Sequence, residues 1–349
     1  MIDTILNRAR DLGASDVHLN TNNPPIFRID GEIRRVNSNN LSTSELNHLV
    51  RNVLGENERK AYLAGIDVDT SYSDPNGFRY RINAYRGMGE PALAIRLLDN
   101  EIPTINGLNL PEILKDLANL PRGIILVTGP TGSGKTTTLA AIIDYINTRR
   151  KKHILTLEDP IEYIHEQKMS IVTQREIFKD TESLNSSLRS ALREDPDVIL
   201  VGEMRDAETI QLAMTAAETG HLVLSTLHTI GAPDTINRIV DSFPPGQQNQ
   251  IRSQLSTTLK AVISQLLIPK VGGGRIATHE IMIMTDAIAN NIRQSTVYNI
   301  ISIILANEPI GMQLLDVELS RLSRKRIIDK NVALEMAKDK DQYRRFLRS

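Results

Sequence analysis

Residues 123–143 read GIILVTGPTGSGKTTTLAAII, and the order of residue types in this stretch decides the fold. It opens with a short apolar run at 124–128 that is rich in β-branched residues, typical of a buried strand in a parallel sheet. A glycine-rich turn follows, and residues 137–146 then show the apolar spacing of a helix. A strand, a loop and a helix in this order predict a mostly parallel α/β sheet.

The loop itself, GPTGSGKT at 129–136, is a complete phosphate-loop pattern. Backbone N–H groups of such a loop, together with the start of the following helix, form a cradle for anions. Lys135 would reach the β- and γ-phosphates of a nucleotide, and the Thr136 hydroxyl would hold Mg²⁺. The predicted nucleotide-binding residues here are Gly129, Thr131, Gly132, Ser133, Gly134, Lys135, Thr136 and Thr137. The predicted cofactors are therefore ATP and Mg²⁺.

Bulk composition narrows the class of protein. The chain has 349 residues, 40% hydrophobic and 24% charged, which fits a two-domain globular protein. Its net charge is −1, so no general basic field points to nucleic acid. It has no cysteine, which excludes disulfides, thiolate zinc sites and a cysteine nucleophile. We find neither a long apolar run nor a signal-peptide pattern, and we expect a cytoplasmic protein that is at most peripheral to a membrane.

The pattern of the chain changes near residue 100. Residues 1–99 alternate short helices with hairpin-like strands, including a turn at Asp30, and predict an N-terminal α+β domain. Residues 100–110 have the Pro, Asn and Gly content of a linker. Residues 111–349 predict an α/β domain whose last part, from about 283 to 349, is helical. Strands are predicted there at Gly123–Thr128, 153–157, Val198–Val201, 222–226 and 275–281, with helices between them.

Acidic side chains follow two of the predicted strands. Glu158 and Glu162 come after the strand at 153–157, and Glu203 follows the strand at Val198–Val201. Ligand groups in open α/β sheets lie at the carboxyl ends of strands. Glu158 and Glu203 are therefore candidate metal ligands, Glu203 in the position where a phosphate loop usually has an acidic partner for Mg²⁺. Glu162 is the candidate general base for an attacking water. The alternative is a solvated acidic loop for Glu158 and Glu162, and a strand-end carboxylate without a catalytic role for Glu203.

Two histidines bracket another predicted strand, in TGHLVLSTLHT at 219–229. His221 precedes the strand and His228 follows it. The functional interpretation is a γ-phosphate sensor that couples hydrolysis to movement, and the structural alternative is a hydrogen-bonded histidine at a strand end. No further histidine stands at metal-ligand spacing, which argues against a zinc site.

Arginines occupy one predicted sheet face in the N-terminal domain. Side chains alternate along a strand, so Arg81 faces away from the apolar residues Tyr80 and Ile82. Arg96 lies on the following strand. Such arginines can clamp phosphates, and the alternative is a solvated sheet face.

Joined in order, these stretches resemble the type II/type IV secretion and pilus motor ATPases, and among them the pilus retraction motors. The resemblance runs nearly from end to end. It is carried by GASDVHL at 13–19, DGEIRR at 30–35, GPTGSGKTTTLAA at 129–141, LEDPIEY at 157–163, SALREDPDVILVGEMRDAETI at 190–210 and AAETGHLVLSTLHT at 216–229.

The resemblance implies a PAS-like N-terminal domain and a RecA-like ATPase core with C-terminal helices. It assigns Glu162 as the catalytic glutamate and Glu203 as the Walker B acid, and it makes His221 and His228 the histidine-box residues. Arg81 and Arg96 match the arginines that close over the nucleotide in this family. The implied assembly is a homo-hexamer at the cytoplasmic face of the inner membrane, where it works on a pilus platform protein.

Retraction and assembly motors differ near residue 290. Residues 287–294 read AIANNIRQ and resemble the retraction motif AIRNLIRE, from which they depart at Ala289, Asn291 and Gln294. We therefore predict a Mg-dependent ATPase that drives type IV pilus retraction and twitching motility. A pilus-assembly or competence ATPase, or a type II secretion ATPase, remains the alternative.

Two other classes of function share parts of this pattern. A nucleic-acid motor would need a basic groove with aromatic side chains, whereas this chain has 4% aromatic residues, no tryptophan and balanced charge. A scaffold that binds ATP without hydrolysing it would not require the acids and histidines found here. Both are less well supported than a mechanochemical ATPase.

Overall fold

The computed structural model describes residues 1–29, 31–98 and 101–348. The chain folds as two compact units, Met1–Glu101 with Pro160–Ile164, and Ile102–Asp159 with His165–Ser349. The sequence did not predict that Pro160–Ile164 would group with the first unit. The boundaries proposed at 99 and 110 remain predictions, since residues 99 and 100 lie outside the described part. Asp30, placed in a hairpin turn by the sequence analysis, lies outside it too.

The first unit is an antiparallel sheet with helices. Its elements are α1 (Ile2–Asp11), β1 (Ala14–Asn20), β2 (Ile26–Ile29), β3 (Glu32–Arg35), α2 (Thr43–Val53), α3 (Glu56–Leu63), β4 (Val68–Ser73), β5 (Arg79–Gly87) and β6 (Glu90–Leu97). The six strands lie in the order β3-β2-β1-β6-β5-β4, with every neighbouring pair antiparallel. The unit is α+β, as predicted.

Side-chain alternation in β5 follows the predicted pattern. Tyr80, Ile82 and Ala84 are fully buried in the core of the first unit, which the apolar faces of α1 and α2 complete. Residues 43–63 form two helices, α2 and α3, because the helical run breaks at Leu54 and Gly55. The Glu58 carboxylate accepts the Gly55 N–H at 2.6 Å and so begins a new helix there.

The second unit begins with α4 (Ile113–Ala118) and continues as an alternation of strands and helices. These are β7 (Gly123–Thr128), α5 (Lys135–Arg149), β8 (His153–Glu158), β9 (Ile171–Glu176), α6 (Leu184–Ala191), β10 (Val198–Val201), α7 (Ala207–Glu218), β11 (Leu222–Leu227), α8 (Ala232–Asp241), α9 (Pro245–Thr258), β12 (Leu259–Pro269) and β13 (Arg275–Ile283). After them come α10 (Asp286–Arg293), α11 (Ile300–Ala306), α12 (Leu315–Arg324), α13 (Lys330–Met336) and α14 (Lys340–Arg348), with short 3-10 turns at Val297–Asn299 and Glu308–Ile310.

The seven strands of the second unit form a sheet in the order β13-β12-β7-β11-β10-β8-β9. Every neighbouring pair is parallel except β12 and β13. The strands β7, β10 and β11 are buried along their whole length, as expected for a sheet with helices on both faces. Their carboxyl ends therefore meet at one edge, where the site residues were predicted.

All five strands predicted for this unit are present, but two more were missed. Strand β9 carries the polar residues TQRE at 173–176, which hide its strand character. Strand β12 follows α9 directly at Leu259, and neither glycine nor proline marks the junction. The prediction of helix between residues 227 and 274 was therefore wrong for β12. Within the described ranges, no helix combines the length and apolarity that crossing a membrane requires.

Candidate functional site

The phosphate loop joins β7 to α5 and depends on backbone conformations that favour glycine. Gly129 has a φ of 141° and Gly134 a φ of 86°. A Cβ on Gly129 would overlap the carbonyl oxygen of Gln265, so a larger residue could not fit there. The loop is thus held tightly against β12 behind it, and α5 begins at Lys135, two residues before the helix predicted at 137–146.

Lys135 lies over its own loop. Its Nζ atom donates to the carbonyl oxygens of Gly129 at 2.8 Å and Pro130 at 3.0 Å. The same nitrogen lies 3.5 Å from Nδ1 of His228, a long contact. An ammonium seated on loop carbonyls is available to a phosphate, which would offer it charged acceptors in their place.

His228 links the loop lysine to the acid that follows β10. Its Nε2 atom lies 3.1 Å from Oε1 of Glu203, and the other Glu203 oxygen accepts from Nε of Arg205 at 2.9 Å. An ammonium only donates and a carboxylate only accepts, so this geometry suits a ring that accepts at Nδ1 and donates from Nε2. The order Lys135–His228–Glu203–Arg205 is therefore a continuous polar chain.

Parallel pairing explains why these groups meet. Leu227 pairs with Thr128 at the ends of β11 and β7, so His228 and the phosphate loop leave the sheet side by side. Val201 ends β10 and Glu203 follows it at the same edge. A cavity of about 220 Å³ opens there, lined by Glu203, Met204, Arg205, Leu227, His228, Thr229 and Arg238.

Glu158 is the last residue of β8 and is buried, with 8% of its surface exposed. Its Oε1 atom accepts hydrogen bonds from the Thr156 hydroxyl at 2.7 Å and from the Gln174 amide at 3.2 Å. These bonds fix the carboxylate within the second unit. Glu162 belongs to the segment that groups with the first unit. The metal-binding role of Glu158 and the general-base role of Glu162 stay predictions.

His221 lies at the opposite edge of the sheet from Lys135. It precedes β11, and its carbonyl oxygen accepts from the N–H of Gly123, the first residue of β7. Its ring Nδ1 lies 2.8 Å from the carbonyl oxygen of Ala216 and 3.2 Å from the Thr219 hydroxyl. Within one chain, the structure therefore brings His228 to the phosphate loop but not His221.

Arg81 and Arg96 stand directly opposite each other on β5 and β6 of the first unit. Arg96 forms an ion pair with Asp16 at 3.0 Å, and 66% of its side chain stays exposed. Two arginines side by side repel each other unless anions lie near them, and Asp16 supplies one. Their predicted role in nucleotide binding remains a prediction.

The residues of the loop fit a phosphate ligand. The hydroxyl oxygens of Ser133 and Thr128 are buried without a hydrogen-bond partner, at and just before the loop. A buried hydroxyl without a hydrogen-bond partner is unfavourable unless a ligand or a water molecule supplies the missing hydrogen bond. For Mg²⁺, the described residues contain no ready-made group of three or more acidic or histidine ligands. The binding of Mg²⁺ by Thr136 stays a prediction.

Sequence reasoning missed one polar residue beside the loop. Gln265 lies on β12, and its side-chain amide donates to the carbonyl oxygen of Ser133 at 2.6 Å. Since the strand itself was not predicted, nothing in the sequence placed this glutamine near residue 133. The available signal was the apolar run around it, VISQLLI at 262–268, which is typical of a buried strand.

With this geometry in hand, comparison with known proteins identifies relatives. The family model described as "Type II/IV secretion system protein" matches residues 1–291. The type IV pilus retraction ATPase PilT of Pseudomonas aeruginosa is 48% identical over 326 residues, which cover 93% of this chain and 95% of that protein. A twitching motility protein of Neisseria gonorrhoeae is 47% identical, with 91% of this chain and 85% of that protein covered.

Solved structures agree with these matches. A crystal structure of the pilus retraction motor PilT with bound ADP superposes with a TM-score of 0.92 at 44% identity and covers 98% of each chain. The ATPase DotB of Legionella pneumophila gives a TM-score of 0.81 at 31% identity, with 96% of this chain and 94% of that chain covered. The predicted α/β architecture, with its N-terminal domain and RecA-like ATPase core, is confirmed. The chain belongs to the type II/IV secretion system protein family.

Proposed function

We propose that this protein is a Mg-dependent motor ATPase that hydrolyses ATP to drive type IV pilus retraction. The observation that carries the proposal is the Lys135–His228–Glu203 chain at the mouth of a complete phosphate loop. Relatives that match nearly the whole chain include a pilus retraction ATPase, a twitching motility protein and a retraction motor crystallised with ADP.

Binding of the nucleotide begins with the backbone of the loop. Its N–H groups and the start of α5 attract the phosphates, and Lys135 exchanges the carbonyl oxygens of Gly129 and Pro130 for phosphate oxygens. Thr136 and Glu203 would hold Mg²⁺, Glu203 through water, and Glu158 lies at the neighbouring strand end. The ion, when bound, offsets the negative charge that develops on the phosphates.

Hydrolysis needs a base and a charge partner. Glu162 is assigned as the base that accepts a proton from the attacking water, on the strength of its place in LEDPIEY. Arg81 and Arg96 are assigned the positive charge that offsets the phosphate oxygens, as the resemblance implies. These residues orient the water and the phosphates, since phosphoryl transfer depends mainly on position and charge.

His228 is assigned as the residue that reports which phosphate Lys135 holds. Its ring touches both the lysine and Glu203, so a change in the position of Lys135 alters a hydrogen bond to Glu203. His221, at the other edge of the sheet, is assigned as a histidine-box residue on the strength of the resemblance alone.

A homo-hexamer at the cytoplasmic face of the inner membrane, acting on a pilus platform protein, is the assembly that fits this family. The retraction assignment rests on the named relatives and on the partial motif at 287–294, which α10 contains except for its last residue, Gln294. An assembly ATPase is the second candidate, because that motif differs from the retraction pattern at Ala289, Asn291 and Gln294.

The test combines an enzyme assay with cell imaging. The purified protein should release phosphate from ATP only when Mg²⁺ is present. A strain that lacks the gene should carry persistent pili that do not retract, whereas bald cells would select the assembly ATPase. Absence of any phosphate release by the purified protein would remove the motor assignment altogether.

A further inference from the structure

Strand β12 runs on past the end of β7 and lies behind the phosphate loop. The last register pair between the two strands joins Ser264 to Thr128, so the next residue, Gln265, faces the loop. Gln265 is 2% exposed, and its backbone oxygen occupies the space that a side chain on Gly129 would need. The loop therefore rests on this residue through both backbone and side chain.

Three polar groups converge on the Gln265 amide. Its Nε2 atom lies 2.6 Å from the carbonyl oxygen of Ser133, and its Oε1 atom lies 2.7 Å from the Thr138 hydroxyl and 3.2 Å from Nε2 of His279. Thr138 and His279 are each 1% exposed. The amide thus bridges the loop, the first turns of α5 and β13 inside the protein.

The orientation of that amide follows from its partners. The Ser133 carbonyl oxygen only accepts, so the NH₂ group of Gln265 must face it and Oε1 must face Thr138 and His279. His279 then donates from Nε2. Burial lowers the pKa of His279 to about 4, so the ring is neutral at cellular pH and keeps this single donor role.

Fixing the Ser133 carbonyl also fixes the next N–H. The peptide between Ser133 and Gly134 is planar and trans, so the Gly134 N–H points away from Gln265 when the carbonyl points toward it. Gly134 has a φ of 86°, a conformation that is weakly determined by local preference alone. A tertiary bond at this peptide is what sets the direction of a loop amide immediately before Lys135.

We propose that Gln265, oriented by Thr138 and His279, is a positioning residue that holds the phosphate loop in the form that binds a nucleoside di- or triphosphate. The inference rests on the proposed function, since it concerns the same loop. It adds Gln265 and His279, which lie outside the motifs from which that function was argued. It predicts that the amide acts on nucleotide affinity without touching the nucleotide.

The test uses the full-length protein and ADP. Gln265→Met keeps the length of the side chain and removes both hydrogen-bonding groups, which leaves the Ser133 carbonyl without its partner. The dissociation constant for ADP should rise about tenfold, because an unpaired Ser133 carbonyl disfavours the loop conformation that binds the nucleotide. In steady state, the KM for ATP should rise while kcat changes by less than about threefold, because a loss in ground-state binding alters KM alone.

A matched control lies on the other side of His279. Gln313 donates to the His279 carbonyl oxygen at 2.8 Å and has no part in the loop. Gln313→Met makes the same chemical change beside β13, which carries His279, and should leave ADP affinity unchanged. Affinities are compared well below the melting temperatures of both variants, so that a loss of fold stability does not enter.

Each possible result of these measurements either supports or overturns the inference. A folded Gln265→Met protein that binds ADP as tightly as Gln313→Met overturns the inference. If Gln265→Met does not fold, Thr138→Val and Thr138→Ser decide, because only serine keeps the hydroxyl. Weaker ADP binding in the valine variant with recovery in the serine variant supports the inference, and equal binding overturns it. Wild-type protein that binds no ADP refutes the proposed function itself.

Discussion

Nε2 of His228 lies 3.1 Å from Oε1 of Glu203, and this pair joins the ends of two neighbouring parallel strands. On its other side, the same ring lies 3.5 Å from Nζ of Lys135. The imidazole therefore stands between the base of the phosphate loop and the acid after β10. A group in that position contributes to hydrolysis through both neighbours, so its effect should depend on them.

The first prediction concerns this coupling. His228→Ala and Glu203→Gln should each lower kcat for ATP hydrolysis by about 100-fold or more, the lower range for groups that assist proton movement and charge placement. The double variant should be little slower than either single variant, because residues that act as a unit have non-additive effects. Phosphate release by the three purified proteins measures this directly.

His48→Ala provides the control, since His48 is an exposed histidine on α2 of the first unit. Its kcat should match the wild-type value. If the double variant lost the full product of the two single losses, His228 and Glu203 would be acting independently, contrary to their contact.

The second prediction tests the assigned base. Glu162→Gln should lower kcat by about 10²- to 10⁴-fold while ADP still binds, because the change removes a proton acceptor and keeps the shape. Glu166→Gln, at an exposed position four residues on, is the matched control. Turnover of the Glu162 variant within about threefold of wild type would take Glu162 out of the base role.

Parts of the site were predictable because their signals are local. The loop at 129–136 and the acid Glu203 each follow a short apolar strand, and those strands appear where the sequence placed them. The sequence analysis did not choose between the two histidines as the one that meets the loop. His221 and His228 both flank β11, and only the parallel register of β11 with β7 decides that His228 lies at the loop edge.

The missed residues have a physical explanation as well. Gln265 reaches the loop through β12, a strand that begins immediately after α9 without a turn residue. A junction of that kind leaves no mark in the sequence, since tertiary pairing with β7 and β13 stabilises the strand. The pairing of Arg81 with Arg96 likewise depends on a hairpin register that alternation alone does not determine.

The third prediction uses a buried histidine outside the site. Burial lowers the pKa of His165 from 6.5 to about 4, with Asp144 opposing and Lys168 adding to the effect. Between those two pH values the unfolded chain binds the proton and the folded chain does not. The stability contributed by neutral His165 is therefore complete above pH 6.5 and declines as the pH falls toward 4, by roughly 3 kcal/mol at most.

Urea unfolding of wild type and His165→Gln at several pH values measures this contribution. The stability difference, wild type minus variant, should rise with pH between about 4 and 6.5 and stay level above that range. A difference that does not change with pH would show that His165 titrates alike in the folded and unfolded states.

The fourth prediction joins the chemistry of the loop to the work of the motor. Lys135→Ala removes the ammonium that now lies on the carbonyl oxygens of Gly129 and Pro130, and with it the charged contact offered to a phosphate. Loss of such a contact should weaken ATP binding by roughly 10- to 100-fold. In a deletion strain that expresses this variant, pili should persist without retracting when they are imaged live. Lys151→Ala is the control, because Lys151 is an exposed lysine beyond the C-terminal end of α5, and this variant should restore retraction.

Hydrolysis and retraction are proposed to depend on the same lysine, Lys135. Pili that retracted normally with Lys135→Ala would show that retraction does not need this lysine and would refute the motor role.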